Sequence, residues 1–307
     1  MNKYIKIAIA ATLAAACACS CAKQAATEKE PELVNVELNL GIEEAMDALT
    51  RTATPLFPEV ENWIFDYYLV QFNAEGVSVR TIHRRTDVSV GDLVVSDNVA
   101  LQAISGGMVT FVANILPANG DYSDDPGWEQ GTILKIADNI DTYKTIKFDM
   151  AERIQRAEAG TLHHTPMCGY WKGDITSANP MLMTATLGRM IVRMNVIIDN
   201  QSASEITGVQ LKNASTKAYI FPQVVNEALD DADYMDLPAN NVNIPAGTTS
   251  TVYFYSAPNF CTDGGLKTEV EFTAGGKTGS IKLGSDLNSG DYNLYMNTIY
   301  TFNITVK

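Results

Sequence analysis

The feature that most constrains the fold of this chain is the regular alternation of apolar and polar residues in many of its apolar runs. In the run LVNVELNL, the side chains of Val34, Val36, Leu38 and Leu40 share one face, and polar side chains share the other. A period of two is the pattern of a half-buried β-strand, because successive side chains point to opposite faces. The same period recurs in most of the apolar runs of the 307-residue chain, so the sequence predicts an all-β protein.

The other runs with strand character are separated by clusters of Gly and Asn, which are typical of turns. These runs are WIFDYYLVQF, MVTFVANI, MIVRMNVIID, STVYFYSA, TEVEFTA and GSIKLG. Residues 132–160 differ, because helical spacing and good helix formers predict one or two short helices there. Many short strands with few helices predict β-sandwiches, and the loop-like segment 173–180 predicts a domain boundary close to residue 176.

The N-terminus has the layout of an export signal rather than of a membrane span. Two lysines precede the apolar run IAIAATLAAA, which is much shorter than the roughly 20 residues that a spanning helix needs. Cys17, Cys19 and Cys21 follow, preceded by small residues, and this arrangement resembles a bacterial lipobox. We expect residues 1–21 to be a lipoprotein signal peptide and Cys21 to carry the lipid, with Cys17 and Cys19 as alternatives.

Charge and motif content argue against several classes of function. A formal net charge of −14 argues against nucleic acid as a partner. The sequence contains no HExxH, CxxC, GxSxG or phosphate-binding glycine motif. The adjacent His163 and His164 would point to opposite faces of a strand, His83 is isolated, and the acidic turn 120–128 lacks the spacing of a calcium loop. We therefore expect no enzyme activity, no metal and no cofactor.

Cys168 and Cys261 are the only cysteines after the signal. An exported compartment permits a disulfide between them, but sequence does not define whether the two backbones come close enough. The sequence leaves their pairing open.

A lone arginine lies between the first alternating strand and the rest of the chain. Arg51 is the only basic residue between Lys29 and Arg80, and its neighbours in MDALTRTATP are mostly small or hydroxylated. Taken alone, Arg51 is typical of a solvated loop. The C-terminal run NTIYTFNITVK alternates as regularly as the first strand, and alone it is typical of an edge strand. Its apolar face consists of Tyr300, Phe302, Ile304 and Val306.

The ordered set of these patterns resembles the fimbrillin family, the lipoprotein precursors of type V pili in Bacteroidales-type bacteria. The matching segments are the lipoprotein signal, the first strand followed by LTRTAT, and then WIFDYYLVQF, TPMCG, LGRMIVRMNVIIDN, VYFYSAPNF and YMNTIYTFNITVK. Two positions depart from the family pattern: Asn259 lacks the Glu that usually precedes it, and Met296 stands where Arg is common. These departures affect where the chain would be placed within the family more than they affect its resemblance to the family.

The resemblance implies two transthyretin-like β-sandwich domains in tandem, at residues 52–176 and 177–307. Residues 22–51 would form a linker and a removable first strand. An arginine-specific protease would cut between Arg51 and Thr52, and the opened groove would accept a strand from another fimbrial subunit of the same or a related kind.

The resemblance also implies which strands take part and where the protein works. The removable strand would release Val34, Val36, Leu38 and Leu40, and segment 298–307 would be the donor through Tyr300, Phe302, Ile304 and Val306. The precursor would be held in the outer membrane by lipid, palmitate included, and the mature subunit would serve cell adhesion in a surface fimbrium. The alternative is a surface lipoprotein that binds glycans or host ligands as a monomer through exposed aromatics. Those aromatics would be Trp63, Trp128 and Trp171.

Overall fold

The computed structural model describes residues 31–43, 46–47, 63–85, 94–115, 137–158, 165–177, 181–222, 229–240, 242–261, 265–287 and 289–307. The strands are β1 Leu33–Ile42, β2 Met46–Asp47, β3 Asp66–Phe72, β4 Ser78–Arg85, β5 Val94–Gln102, β6 Ile104–Ala113, β7 Lys147–Asp149, β8 Met167–Ile175, β9 Met181–Arg189, β10 Val192–Asn200, β11 Ile206–Lys212, β12 Ala214–Ser215, β13 Lys217–Tyr219, β14 Tyr234–Met235, β15 Thr248–Ser256, β16 Glu269–Ala274, β17 Lys277–Lys282 and β18 Thr298–Val306. The helices are α1 Ile140–Thr145 and α2 Ala151–Glu158. The predicted all-β class with minor helices is confirmed.

The first alternating strand, β1, lies inside a seven-stranded sheet and not at its edge. The strand order is β4-β3-β6-β8-β9-β1-β5. β1 pairs antiparallel with β5 from Leu33 to Gly41 and parallel with β9 from Val36 to Ile42. Its two neighbours therefore come from distant parts of the chain, which local alternation does not reveal.

The C-terminal strand, β18, belongs to a four-stranded sheet of order β15-β10-β18-β2. It pairs parallel with β10 over its whole length, and parallel with β2 only at Thr298 and Ile299. Within the described residues, the remaining strand pairing is a three-stranded sheet, β11-β16-β17, and the short ladders β12–β14 and β13–β7.

The strand β3 is the place where the two hydrophobic cores of the protein meet. All of its residues are buried. Tyr67 and Leu69 belong to the core beneath β1, whereas Tyr68 and Val70 belong to the core that contains β10, β15 and β18. A strand that is buried on both faces has no need of polar alternation, and the sequence DYYLVQF is accordingly almost continuous in apolar and aromatic residues.

Both helices fall inside the predicted stretch 132–160. The side chain of Asn139 caps α1 by accepting a hydrogen bond from the Thr142 N–H at 2.9 Å, and Asp149 Oδ1 accepts from the Ala151 N–H at the start of α2. In the part of the chain that the structure describes, no helix has the length and apolar character needed to cross a bilayer.

The first sheet extends past the predicted division between residues 52–176 and 177–307. β9 pairs with both β8 and β1, so this sheet contains chain from both sides of the segment 173–180, whose first three residues belong to β8 rather than to a loop. Residues Leu33–Lys307 form one compact unit. The two-domain division stays a prediction, and the signal segment 1–21 lies outside the described residues.

Candidate functional site

The site that β1 occupies between β5 and β9 is the first candidate for function, and we call it the acceptor groove. The apolar face of β1 is buried there: Val34 is 6% exposed, and Val36, Leu38 and Leu40 are fully buried. These four side chains pack into one core with residues of β5 and β9, among them Val99 and Met183. The structure thus brings the four residues predicted for the removable strand together in one groove, and the release of that strand stays a prediction.

Both edges of β1 are paired, so the groove is defined by main chain as well as by side chains. Nine residues of β1 are matched with β5 and seven with β9. On the outward face, Ser96 Oγ donates to Asn39 Oδ1 at 2.6 Å. Loss of β1 would expose unpaired backbone on two strands, which is a template for pairing with another chain.

The segment that carries β1 also contributes to the second sheet. The Glu43 N–H donates to Leu187 O at 2.9 Å and prolongs the ladder between β1 and β9 by one residue. β2 follows, and it pairs with the start of β18. The predicted cleavage residues Arg51 and Thr52 come next in the sequence, and they lie outside the described residues.

A buried arginine connects the end of β1 to the start of β18. Arg189 is 4% exposed, and its Nη1 donates to Glu43 O at 2.9 Å and to Asn297 Oδ1 at 2.8 Å. Asn297 has a φ of 53°, a left-handed conformation that Asn tolerates better than most residues. A buried guanidinium requires such acceptors, because an unpaired charge in the interior is costly.

Next to this contact lies an open cavity of about 590 Å³, which we call the junction pocket. Its aromatic lining consists of Tyr170, Phe260 and Tyr295, and its polar lining includes Glu43, Thr186 and Asn297. The Phe260 and Tyr295 rings meet edge to face at 5.8 Å between centroids, and Tyr170 stacks on Phe221 at 5.2 Å.

None of the catalytic, metal-binding or phosphate-binding motifs considered in the sequence marks the residues of the junction pocket. One signal could have found it: the segments TPMCG, LGRM, SAPNF and YMNT, which all belong to the resemblance, each supply at least one lining residue. Residues that match a family pattern at four distant places are expected to meet in space when they share a site.

Cys168 and Cys261 are free thiols, so the disulfide that the sequence left open is not formed. Cys168 is fully buried beside the junction pocket. Burial, and secondarily the Glu43 carboxylate, raises the pKa of its thiol far above the ordinary value. Burial likewise raises the pKa of Cys261, to about 11. Neither thiol is a ready nucleophile.

The predicted donor strand lies in the protein's own second sheet. Its apolar face is buried, with Tyr300 2%, Phe302 9%, Ile304 4% and Val306 8% exposed. β18 is matched with β10 from Thr298 to Val306. A donor role would therefore require β18 to leave this ladder, and the role stays a prediction.

The second edge of β18 is paired only at its beginning. Past Ile299, no strand lies against that edge within the described residues. A cleft of about 380 Å³ lies there instead, between Tyr300–Ile304 of β18 and the segment Ile281–Leu287. The edge of β18 therefore has room beside it.

The other candidates from the sequence are not assembled into a site. Trp63 and Trp171 are partly buried rather than exposed, and Trp171 packs against the core beneath β1. His83 stacks on Tyr68 at 4.3 Å. Trp128, His163, His164 and the acidic turn 120–128 lie outside the described residues. In the described part of the chain, no group of three or more His, Cys, Asp or Glu could hold a metal ion.

Comparison with solved structures identifies relatives in fold. A scan of protein-family models and a search of curated proteins find no match. The tip fimbrial protein Mfa3 from Porphyromonas gingivalis, with a C-terminal truncation, superposes with a TM-score of 0.60 at 14% identity, covering 90% of this chain and 96% of that one. A proposed cell adhesion protein from Parabacteroides distasonis gives 0.59 at 15%, covering 88% of each chain. A fimbrial assembly protein from the same organism gives 0.52 at 12%, covering 89% and 92%.

At these identities the likeness is one of architecture. The chain has the all-β fold of fimbrial and cell-adhesion proteins from Bacteroidales. The resemblance to fimbrillins that the sequence segments carry is thereby confirmed at the level of the fold.

Proposed function

We propose that this protein is a structural subunit of a surface fimbrium, in its stalk or at its tip, and that it assembles by strand exchange. It is exported as a lipoprotein acylated at Cys21, or at Cys17 or Cys19, and its lipid holds the precursor in the outer membrane. An arginine-specific protease cuts between Arg51 and Thr52, and a strand of another subunit takes the place of β1. No catalytic residue, cofactor or nucleic acid enters this function.

The position of β1 carries the proposal. β1 is an inner strand of the seven-stranded sheet, its apolar face fills the acceptor groove, and the lone arginine follows it within a short segment. Burying four aliphatic side chains at about 1.5–3 kcal/mol each gives an upper bound of roughly 6–12 kcal/mol. A groove with that much apolar surface favours occupation by another strand once β1 has left.

A cut after Arg51 would affect both sheets at once. The segment upstream of the cut contains β1, in the first sheet, and β2, which covers the edge of β18 at Thr298 and Ile299. Its release would open the acceptor groove and extend the free edge of β18 to its beginning. An incoming strand that follows the same path would contact both sheets, which supports a long-lived junction between subunits.

The experiment compares the wild-type chain with Arg51→Ala and with Arg84→Ala, which removes a half-exposed arginine of β4. We expect the wild type and Arg84→Ala to give a product that begins at Thr52 and forms polymers on treatment with an arginine-specific protease. Arg51→Ala should remain full-length and monomeric. N-terminal sequencing and size-exclusion chromatography measure both results.

Efficient polymer formation by Arg51→Ala would overturn the proposal. A protein that is recovered from the cell surface uncut, lipid-bearing and monomeric would instead favour the glycan-binding or host-ligand-binding lipoprotein.

A further inference from the structure

Residue 43 is fixed by its main chain at the mouth of the junction pocket. Its N–H donates to Leu187 O at 2.9 Å, and its carbonyl oxygen accepts from Arg189 Nη1 at 2.9 Å. The first bond continues the main-chain pairing of β1 with β9, and the second comes from the Arg189 side chain. Any strand that fills the acceptor groove in the same register therefore places one side chain at this point.

The side chain that occupies the position in the precursor, Glu43, lines the pocket beside Gly188, where its Oε2 would lie 3.0 Å from an added Cβ. Within the described residues, it forms no hydrogen bond with the aromatic side chains of the pocket. It is exposed, and its carboxylate lies 3.5 Å from Asn297 Nδ2, which is a long hydrogen bond. The cavity of about 590 Å³ remains open with Glu43 in its wall. That volume falls in the range of pockets that enclose whole small ligands.

The walls of the junction pocket suit an apolar ring better than a carboxylate. Phe260 is 6% exposed, and its ring is braced by Tyr295. Tyr170 presents an exposed ring whose position is supported by stacking on Phe221. Aromatic walls favour another ring by stacking or edge contacts, whereas a carboxylate that enters such a pocket loses hydration.

We propose that the junction pocket receives a bulky aromatic side chain from the strand that replaces β1, at the position that Glu43 holds in the precursor. The inference rests on the proposed function and states what the incoming strand must carry: an aromatic residue three positions after the side chain that replaces Leu40. Segment 298–307 has Thr301, Asn303 and Thr305 on the corresponding face, so the anchor requires the strand of a related subunit rather than a copy of this segment. β1 lacks that anchor, and an incoming strand that has it binds more tightly than the strand it replaces.

The pocket is tested first in the uncut full-length chain, where strand exchange plays no part. We expect Glu43→Phe to raise the Tm by about 2–4 °C, because the ring packs against the aromatic wall of the pocket and leaves water. Glu43→Gln measures the effect of removing the charge alone, and Asn35→Phe places the same ring on the exposed face of β1. Both variants should change the Tm by less than half as much as Glu43→Phe does.

A second variant tests the wall of the pocket. In a Tyr170→Ala background, which removes one wall, the gain in Tm from Glu43→Phe should shrink. Equal Tm values for Glu43→Phe and Glu43→Gln would overturn the inference, and so would a gain that Tyr170→Ala leaves unchanged.

The second test uses the full chain after cleavage at Arg51 and release of its N-terminal segment. Two synthetic peptides of residues 32–47, one native and one with Glu43→Phe, compete with a fluorescent native peptide for the acceptor groove. We expect the Phe peptide to compete at about tenfold lower concentration. Equal competition by the two peptides would overturn the inference while leaving strand exchange intact. Failure of both peptides to bind, with the Tm gain present, would overturn the proposed function and leave the pocket assignment standing.

Discussion

At the scale of single residues, Gly169 shows how closely the strands approach beside the junction pocket. A Cβ at this position would lie 2.2 Å from Thr186 O and 2.8 Å from Leu187 Cδ2. The first of these atoms is main chain and cannot move away without disturbing β9. The glycine of the TPMCG segment is therefore required by packing between β8 and β9.

We predict that Gly169→Ala destabilises the protein by about 1–3 kcal/mol, the usual cost of an overpacked interior. The control is Gly208→Ala in β11, where a Cβ would meet nothing within 4 Å. That change should be neutral or stabilise by up to about 1 kcal/mol, because it restricts the unfolded chain. Urea unfolding measures both free energies, and equal values for the two variants would contradict the packing argument.

At the scale of elements, Asp149 links β7, β13 and the start of α2. Its Oδ1 accepts from the Ala151 N–H at 2.9 Å and its Oδ2 accepts from Lys217 Nζ at 2.6 Å. Burial raises the pKa of Asp149, but the bonds from Lys217 and Ala151 together outweigh burial and hold the pKa below its ordinary value of 3.8. The ionised form therefore stabilises the fold above that value, and this contribution is lost as pH falls through the lower, folded-state pKa.

We predict that Asp149→Asn lowers the free energy of unfolding at pH 7 by about 0.5–1 kcal/mol, a small effect because the carboxylate is half exposed. The difference from the wild type should shrink as the pH falls below 3.8. Lys217→Met should cause part of the same loss, and the double variant should lose less than the sum. Urea titrations at several pH values measure these effects, and a difference that is independent of pH would refute the charge argument.

Disulfide locks at two strand pairs separate the roles of β1 and β18. Asn39 lies opposite Ser96 across β1 and β5, and Asn195 lies opposite Thr301 across β10 and β18. Cysteines at the first pair should permit cleavage after Arg51 but prevent polymer formation until a reductant is added, because β1 cannot leave.

The second lock asks whether β18 is the donor. If β18 leaves its sheet to pair with another subunit, cysteines at residues 195 and 301 should also prevent polymer formation under oxidising conditions. Normal polymer from this variant would show that β18 stays in place and that the donor is another segment. Size-exclusion chromatography with and without reductant measures both locks.

Alternation in the sequence was sufficient to assign the buried faces of β1 and β18, because the pattern depends only on which face of a strand is exposed to solvent. It did not reveal that β18 pairs along its whole length with β10 of its own sheet, since a strand paired in place and a free strand have the same period. The contact of Arg189 with Glu43 and Asn297 was also hidden, because a buried arginine in a strand looks like a surface one until its acceptors are placed. Partners that are distant in the chain require the three-dimensional arrangement.

At the scale of the whole molecule, β3 joins the two cores and should make them unfold together. Leu69 faces the core beneath β1, and Phe72 faces the core that contains β18, where its ring meets that of Tyr143 at 5.5 Å. A strand shared in this way transmits the loss of either core to the other.

We predict that Leu69→Ala and Phe72→Ala each lower the Tm of one common transition, at a cost of about 2–5 kcal/mol. Leu182→Ala, at a side chain that is 58% exposed, is the control and should have little effect. Differential scanning calorimetry measures the number of transitions. Two separate transitions, of which each variant shifts only one, would contradict a shared core and favour independent domains at residues 52–176 and 177–307.

The covalent connection between β1 and the rest of the chain determines how reversible strand exchange is before and after the proposed cut. While β1 is joined to the rest of the chain through β2, it competes for its groove at an effective concentration on the order of millimolar, as a segment on a short tether does. After cleavage it competes only at the concentration of free peptide in the surroundings, which dilution reduces towards zero. Under those conditions, the strand of a neighbouring subunit can displace β1 from the acceptor groove without an unusually high intrinsic affinity for it. One broken peptide bond would thus make exchange directional without an external source of energy.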